Sequence, residues 1–190
     1  MLTQEEALNL FREARVLLEG HFRLTSGRHS DRYMQCARLF QDPRYAEPLC
    51  RSLAERFAGE GIGTVVGPAL GAVQMAYAVS RHLECRNAFA ERADGTFALR
   101  RGFALAPGER VLVVEDAVTT GGSVREVMEL VRSLGGEVAG VGALVDRSNG
   151  KTDFGVPFRA ALTVDVVSWE EADCPLCAQG IPAVKPGSRS

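Results

Sequence analysis

The chain has 190 residues, 46% of them hydrophobic and 24% charged, with 22 basic and 24 acidic side chains and a formal net charge of −2. That size and balance suit one folded domain with a full core, and they exclude a surface that is basic overall, as nucleic-acid binding would require. No apolar run approaches membrane-spanning length, and the polar, acidic start Met1-Leu-Thr-Gln-Glu-Glu6 is unlike a signal peptide, so the expected location is the cytoplasm, with no membrane partner.

Thr3-Gln-Glu-Glu6 is a capping-box pattern, and apolar residues at Ala7, Leu10, Phe11, Ala14, Leu17 and Leu18 predict a helix that Gly20 ends. Phe22 to Tyr33, with a Ser-Gly centre between apolar flanks, predicts a hairpin. Asp42-Pro43 is an N-cap followed by Pro at the first helical position, with Leu49, Leu53 and Phe57 as the buried face. From Gly59 strands and helices alternate: a strand at Thr64–Val66, a Gly67-to-Ala72 turn, a helix to about His82, and a strand at Ala88–Ala90. Arg92 to Arg101 is polar and Gly-containing, which predicts an exposed mobile loop or loose hairpin. A strand at Arg110–Val114, a helix at Val124–Leu134 closed by Gly135-Gly136, and strands at Val138–Asp146 and Leu162–Val167 complete the pattern. Ile181 to Ser190, rich in Pro, Gly and Ser, is a tail that needs docking to be ordered. The alternation predicts an α/β fold, a mostly parallel sheet flanked by helices, with its site at the strands' carboxyl ends. There is no internal repeat and no linker long enough for two domains. One domain is expected over 1–190, with N-terminal cover elements mainly in 1–40, a core at about 41–170 and a tail at 171–190.

Cys36, Cys50 and Cys85 are scattered, as suits reduced thiols. Cys174-Pro-Leu-Cys177 has a spacing that could bind zinc or close a disulfide. A structural zinc needs two further ligands, and the sequence offers no second Cys-x-x-Cys and no His-x-x-x-His, so a local structural turn is the expectation.

The densest signal is Val111-Leu-Val-Val-Glu-Asp-Ala-Val-Thr-Thr-Gly-Gly-Ser123. Four apolar residues read as a strand buried on both faces, two acids follow, and a Thr-Thr-Gly-Gly-Ser turn opens into a helix. Such a turn presents free N–H groups and the positive end of a helix dipole, which cradle phosphate. Acids beside a phosphate cradle repel the phosphate unless they hold something else, such as ribose hydroxyls or a divalent cation. No Lys follows the glycines as in a Walker loop, and no Gly-x-Gly-x-x-Gly occurs here.

This segment resembles the 5-phosphoribosyl-1-pyrophosphate (PRPP) fingerprint of type I phosphoribosyltransferases. Phe22-Arg-Leu-Thr-Ser-Gly-Arg-His-Ser30, followed by Asp31-Arg-Tyr33, resembles the hood motif of the orotate phosphoribosyltransferases, and Val145-Asp-Arg147 matches their Asp-Arg. The resemblance implies the type I phosphoribosyltransferase core with a small N-terminal hood, and transfer of the phosphoribosyl group of PRPP to orotate in pyrimidine (UMP) biosynthesis. The alternatives are a phosphoribosyltransferase for another base or a PRPP-responsive nucleic-acid-binding regulator on the same fold. It implies Glu115, Asp116 and Arg92 as catalytic residues. PRPP would be bound by these three with Ala117, Val118, Thr119, Thr120, Gly121, Gly122, Ser123, Leu70 and Gly71. Orotate would be bound by Thr119, Arg147, Ser26 and Gly27, with Tyr33 and Met34 covering its ring and Ser30 as a further donor. Magnesium would be carried by PRPP, with no direct protein ligand, and two subunits of a homodimer would share sites through the Arg92–Arg101 loop. Many orotate enzymes carry lysines in the hood, the pyrophosphate loop and a Lys- and His-containing mobile loop. This chain has Thr25, Gly71 and a Glu91–Arg101 segment without either residue. Arg92, Arg100 and Arg101 can clamp pyrophosphate by charge but cannot donate a proton near neutral pH. His29 is the candidate acid; His21 and His82 are expected to be structural.

Overall fold

The computed structural model describes residues 1–24, 26–165 and 167–185. Thr25 and the end of the predicted tail, 186–190, lie outside the described residues. Helix α1 (Gln4–Glu13) is closed at its start by the capping box: the Glu6 N–H donates to Thr3 Oγ1, and the Thr3 N–H donates to the Glu6 carboxylate at 2.8 Å. The helix ends at Ala14 rather than Gly20. Arg15 takes a left-handed φ of 52°, and the Val16 N–H bonds back to the Phe11 carbonyl at 3.0 Å, a glycine-type stop built on arginine. Leu17 and Leu18 therefore open strand β1 (Leu17–Arg23), which pairs antiparallel with β2 (His29–Met34) in the predicted hairpin.

Helix α2 (Pro43–Glu55) starts at Asp42, whose carboxylate accepts the Arg44 N–H at 3.0 Å, and buries Leu49 and Leu53, with Phe57 buried just beyond its end. Strand β3 (Thr64–Pro68), α3 (Val73–Leu83), β4 (Arg86–Ala93), β5 (Thr96–Leu99), β6 (Arg110–Val118), α4 (Gly122–Ser133), β7 (Glu137–Asp146) and β8 (Phe158–Thr163) follow, and a one-turn α5 (Pro175–Ala178) lies in the tail. The sheet order is β5-β4-β3-β6-β7-β8, parallel except for edge strand β5. Of the two forms expected for Arg92–Arg101, the hairpin is the one observed: Ala90–Ala93 pairs with Thr96–Leu99 around an Asp94-Gly95 turn, and Arg100 and Arg101 follow β5. Among the described residues the last strand is β8, which begins four residues earlier than the expected Leu162–Val167 and shares Leu162 and Thr163 with it; Val166 lies outside the described residues.

Alternate residues of β6 feed two cores. Leu112 and Val114 pack with Val65, Leu144 and the apolar faces of α1, α2 and α3; Val111 and Val113 pack with Val66, Met128 and Val131 of α4 on the other face. On β7, a Cβ at position 140 would lie 2.7 Å from the Phe57 ring, so Gly140 is what lets the α2 end approach the sheet. The tail docks by backbone pairing: the Val184 N–H donates to the His21 carbonyl at 2.8 Å and the Arg23 N–H to the Val184 carbonyl at 2.9 Å.

Candidate active site

A cleft of about 400 Å3 opens at the carboxyl end of β6, lined by Glu115 and the run from Ala117 to Val124, with Glu126 at its rim; β3 and β7 flank β6 in the sheet on either side. The fingerprint strand runs on through the acids to Val118, so Glu115 and Asp116 are strand residues held rigidly, not loop residues. Thr119 to Ser123 turn from β6 into α4, and no side chain caps that helix, leaving its first N–H groups for a ligand. Gly121 is obligatory there: its φ is 76°, and a Cβ would lie 2.6 Å from the Phe154 ring. The Thr119 carbonyl is itself fixed by the Thr152 hydroxyl at 3.2 Å.

Burial pushes the Glu115 carboxyl well above the usual carboxylate range, and the adjacent Asp116 adds to the rise. Asp116 is also raised by burial, while hydrogen bonds from Glu115 and from backbone N–H groups, and to a smaller extent the Arg147 guanidinium, pull it back down. The two acids therefore compete for charge, and the favoured anion is Asp116. Gly71 leaves open space in front of it: a Cβ at position 71 would sit 3.3 Å from Asp116 Oδ2. Leu70, on the same turn, is 89% exposed, and the Ala69–Leu70 peptide is cis.

Arg147 follows β7 and is partly buried; desolvation disfavours its guanidinium, and Asp116 is the nearby anion that supports it near neutral pH. Its Nε is buried without a hydrogen-bond partner among the described residues. A planar cation with an unspent donor suits a flat anion. Asp146 does not join it at the ligand: its two carboxylate oxygens accept the N–H groups of Ser148 (2.7 Å) and Gly150 (3.0 Å), shaping the turn beyond.

The hood residues divide. Ser26 and Gly27 lie exposed in the β1–β2 turn, and Tyr33 is half-buried near Arg147, its hydroxyl pushed up by burial. Met34 is 6% exposed in the α1–α2–α3 core, so covering a flat ring falls to Tyr33; neighbours on a strand point to opposite faces. The Ser30 hydroxyl is spent on the Val167 carbonyl at 2.8 Å, which removes Ser30 from the expected donors. His29, the expected acid candidate, is buried against His21, and His82 pairs with Glu47 at 2.8 Å.

Arg92 reaches the cleft of its own chain, bridging Glu126 at 2.9 Å and stacking over Phe97 at 4.3 Å. Arg101 pairs with Glu91 at 2.9 Å. Two of the three candidate clamp arginines thus already hold carboxylates. Glu126 had no legible signal, being an ordinary helix acid in sequence. Asp146 did have one, in Asp-Arg-Ser-Asn-Gly150, a turn-forming run.

The phosphoribosyl transferase domain family matches residues 44–154. The chain is 61% identical to an orotate phosphoribosyltransferase of Pelotomaculum thermopropionicum over 188 residues, 99% of both chains. It is 56% identical to one of Desulforamulus reducens over 99% of this chain and 98% of that one. Among solved structures, the orotate phosphoribosyltransferase of Aeropyrum pernix superposes with a TM-score of 0.71 at 27% identity, covering 82% of this chain and 92% of that one. The Mycobacterium tuberculosis orotate enzyme in complex with inorganic phosphate gives 0.67 at 29% identity, covering 83% and 95%. With its parallel sheet, uncapped α4 and buried acid pair, the chain belongs to the phosphoribosyltransferases and, among them, to the orotate phosphoribosyltransferase family.

Proposed function

We propose that this chain transfers the 5-phosphoribosyl group of PRPP to orotate, giving orotidine 5′-monophosphate and pyrophosphate, at the carboxyl ends of β3, β6 and β7. The observation that carries the reading is Arg147, whose buried Nε has no partner among the described residues, beside Asp116 at the same sheet end as an uncapped phosphate cradle. The 5′-phosphate fits the N–H groups opening α4, and Asp116, with Glu115 behind it, fits the ribose hydroxyls. Ser26, Gly27 and Tyr33 edge the orotate side. As the anomeric C–O bond breaks and the C–N bond forms, positive charge grows on the ribose ring and negative charge on the departing pyrophosphate. Fixed groups already aimed at those positions stabilise that separation without reorganising.

The reading includes magnesium carried by PRPP. The all-oxygen pair Glu115 and Asp116 suits a hard cation and would hold it through water, and when bound it neutralises the departing pyrophosphate. It also includes a homodimer, supported by the exposed apolar Leu70 and Tyr77 near the same end of α3, and a cytoplasmic location, supported by the unpaired thiols of Cys36, Cys50 and Cys85. The test is turnover with PRPP and magnesium against orotate, uracil, adenine and guanine in parallel. Pyrophosphate release with orotate far above the other bases is expected. Equal or greater release with a purine would reassign the acceptor, and PRPP binding without any turnover would favour the regulator reading.

A further inference from the structure

We infer that the hood and the tail are locked together by a structural zinc ion held by His21, His29, Cys174 and Cys177. Their ligand atoms all lie within 4.8 Å of one another, in a part of the molecule that the transfer reaction does not use. His21 Nε2 is 2.9 Å from His29 Nδ1, 3.4 Å from Cys174 Sγ and 3.8 Å from Cys177 Sγ, and Cys177 Sγ is 3.2 Å from His29 Nδ1. Zinc at its usual Zn–N and Zn–S distances in a tetrahedron sets neighbouring ligand atoms about 3.3–3.8 Å apart, so these four separations need change only by tenths of an ångström, and the widest in the set, up to 4.8 Å, by about an ångström, for the side chains to close on an ion.

The sequence concealed the set because the histidines are eight residues apart and about 150 residues from the cysteines, outside any short metal motif. Strand pairing brings them together. The register slips between Glu19 and Phe22, and Arg23 then pairs with His29, which puts His21 and His29 diagonally on one face of the hairpin. The Cys174-to-Cys177 turn is laid against that face by the tail, through the Val184–His21 bond and reciprocal His29–Trp169 bonds of 2.8 Å.

Two chemical details favour a metal over a chance polar cluster. His21 Nδ1 lies 2.7 Å from the Ile181 carbonyl, which can only accept, so Nδ1 carries the proton and the Nε2 lone pair points into the cluster. Two thiolates, two neutral imidazoles and a divalent zinc sum to zero charge, which suits a site whose His21, His29 and Cys174 are all buried. The mixed nitrogen–sulfur set excludes magnesium and calcium, which take oxygen ligands.

The experiment is elemental analysis of the intact chain purified without chelator, with thermal unfolding before and after exhaustive chelation. One zinc per chain, a lower Tm after chelation and its recovery on adding zinc alone are expected. Cys177→Ser and His21→Ala should each lose the zinc, whereas Cys85→Ser, which removes a thiol outside the cluster, should keep it. Because a cluster variant could misfold, cobalt replacement of the wild-type metal gives an independent readout: tetrahedral ligand-field bands with thiolate charge transfer are expected. A metal-free chain with all five thiols titratable, a Cys174–Cys177 disulfide, iron as the bound metal, or zinc retained by both cluster variants would each overturn the assignment.

Discussion

Arg147 and Glu115 are both partly buried, and the loss of solvent makes opposite demands on them. Arg147 loses solvation and has a donor left over, so a bound anion repays more there than at an exposed arginine. Arg147→Ala should raise the KM for orotate far more than that for PRPP, with a loss of roughly 2–5 kcal/mol of transition-state binding if the orotate anion is left buried and unpaired. Steady-state kinetics varying each substrate in turn decide it; equal increases in both KM values would make Arg147 a structural residue. Glu115 is a carboxyl whose folded pKa lies well above its unfolded value of about 4.3. The native chain then binds more protons than the unfolded one, so this group's contribution to stability falls as pH rises from about 4 to its folded pKa and is level beyond it. Glu115→Gln removes the ionisable group while keeping an oxygen for the Asp116 N–H, 3.2 Å away in the parent. Its Tm should exceed the parent's near neutral pH, and the advantage should vanish below about pH 4. A variant less stable than the parent at neutral pH would mean that Glu115 is a paired native-state anion.

The turn from β6 into α4 joins packing to binding at the scale of an element. Gly121 must be left-handed for the turn to reverse, and Phe154 occupies the space where its side chain would stand. Gly121→Ala should therefore suffer twice, about 1–2 kcal/mol for the backbone conformation and about 1–3 kcal/mol for overpacking. Gly135 is the internal control: its φ is 83°, but nothing lies within 4 Å of where its Cβ would stand, so Gly135→Ala should carry the backbone cost alone. Chemical denaturation of both variants, with the KM for PRPP, tests this. Equal stabilities and unchanged PRPP affinity in Gly121→Ala would show that the cradle rebuilds itself around the methyl group. The same element shows what the sequence could reveal. The strand–acid–glycine–helix order of 111–134 was legible because each step has a local cause: β-branched burial, charge at a strand end, glycine at a left-handed turn. The end of α1 was not, because arginine rather than glycine takes the left-handed stop at position 15. The roles of Ser30 and Met34 were not legible either. Ser30 is decided by Val167 and Met34 by which side of β2 faces the core, and both depend on distant partners. Asp94-Gly95 is a two-residue hairpin signal, and the hairpin was one of the two forms expected there; the polar residues hid only how far β4 runs, to Ala93.

For the whole molecule, the open question is whose site the β4–β5 hairpin completes. Within one chain Arg92 is already anchored to Glu126 at the rim of that chain's own cleft. That ion pair is partly exposed on both sides, so it is worth little and a pyrophosphate could displace it at small cost. In the proposed homodimer the released hairpin would reach across to the partner's cleft, where the incoming anion replaces Glu126 as its counter-charge, and closure would be linked to substrate binding. Arg92→Ala and Asp116→Asn homodimers should each be nearly inactive. A hybrid carrying one of each retains one site with both an intact hairpin and an intact acid pair, provided that those parts come from different chains. Subunit exchange between the two inactive variants should then restore activity, up to roughly half of wild-type activity per hybrid dimer. Differently tagged chains isolate the hybrid, so its formation is measured separately from its turnover. Proven hybrids without recovered activity would place Arg92 in the cleft where Glu126 now holds it. The cradle, the acid pair and Arg147 would keep their roles in that case, but each subunit would then work alone.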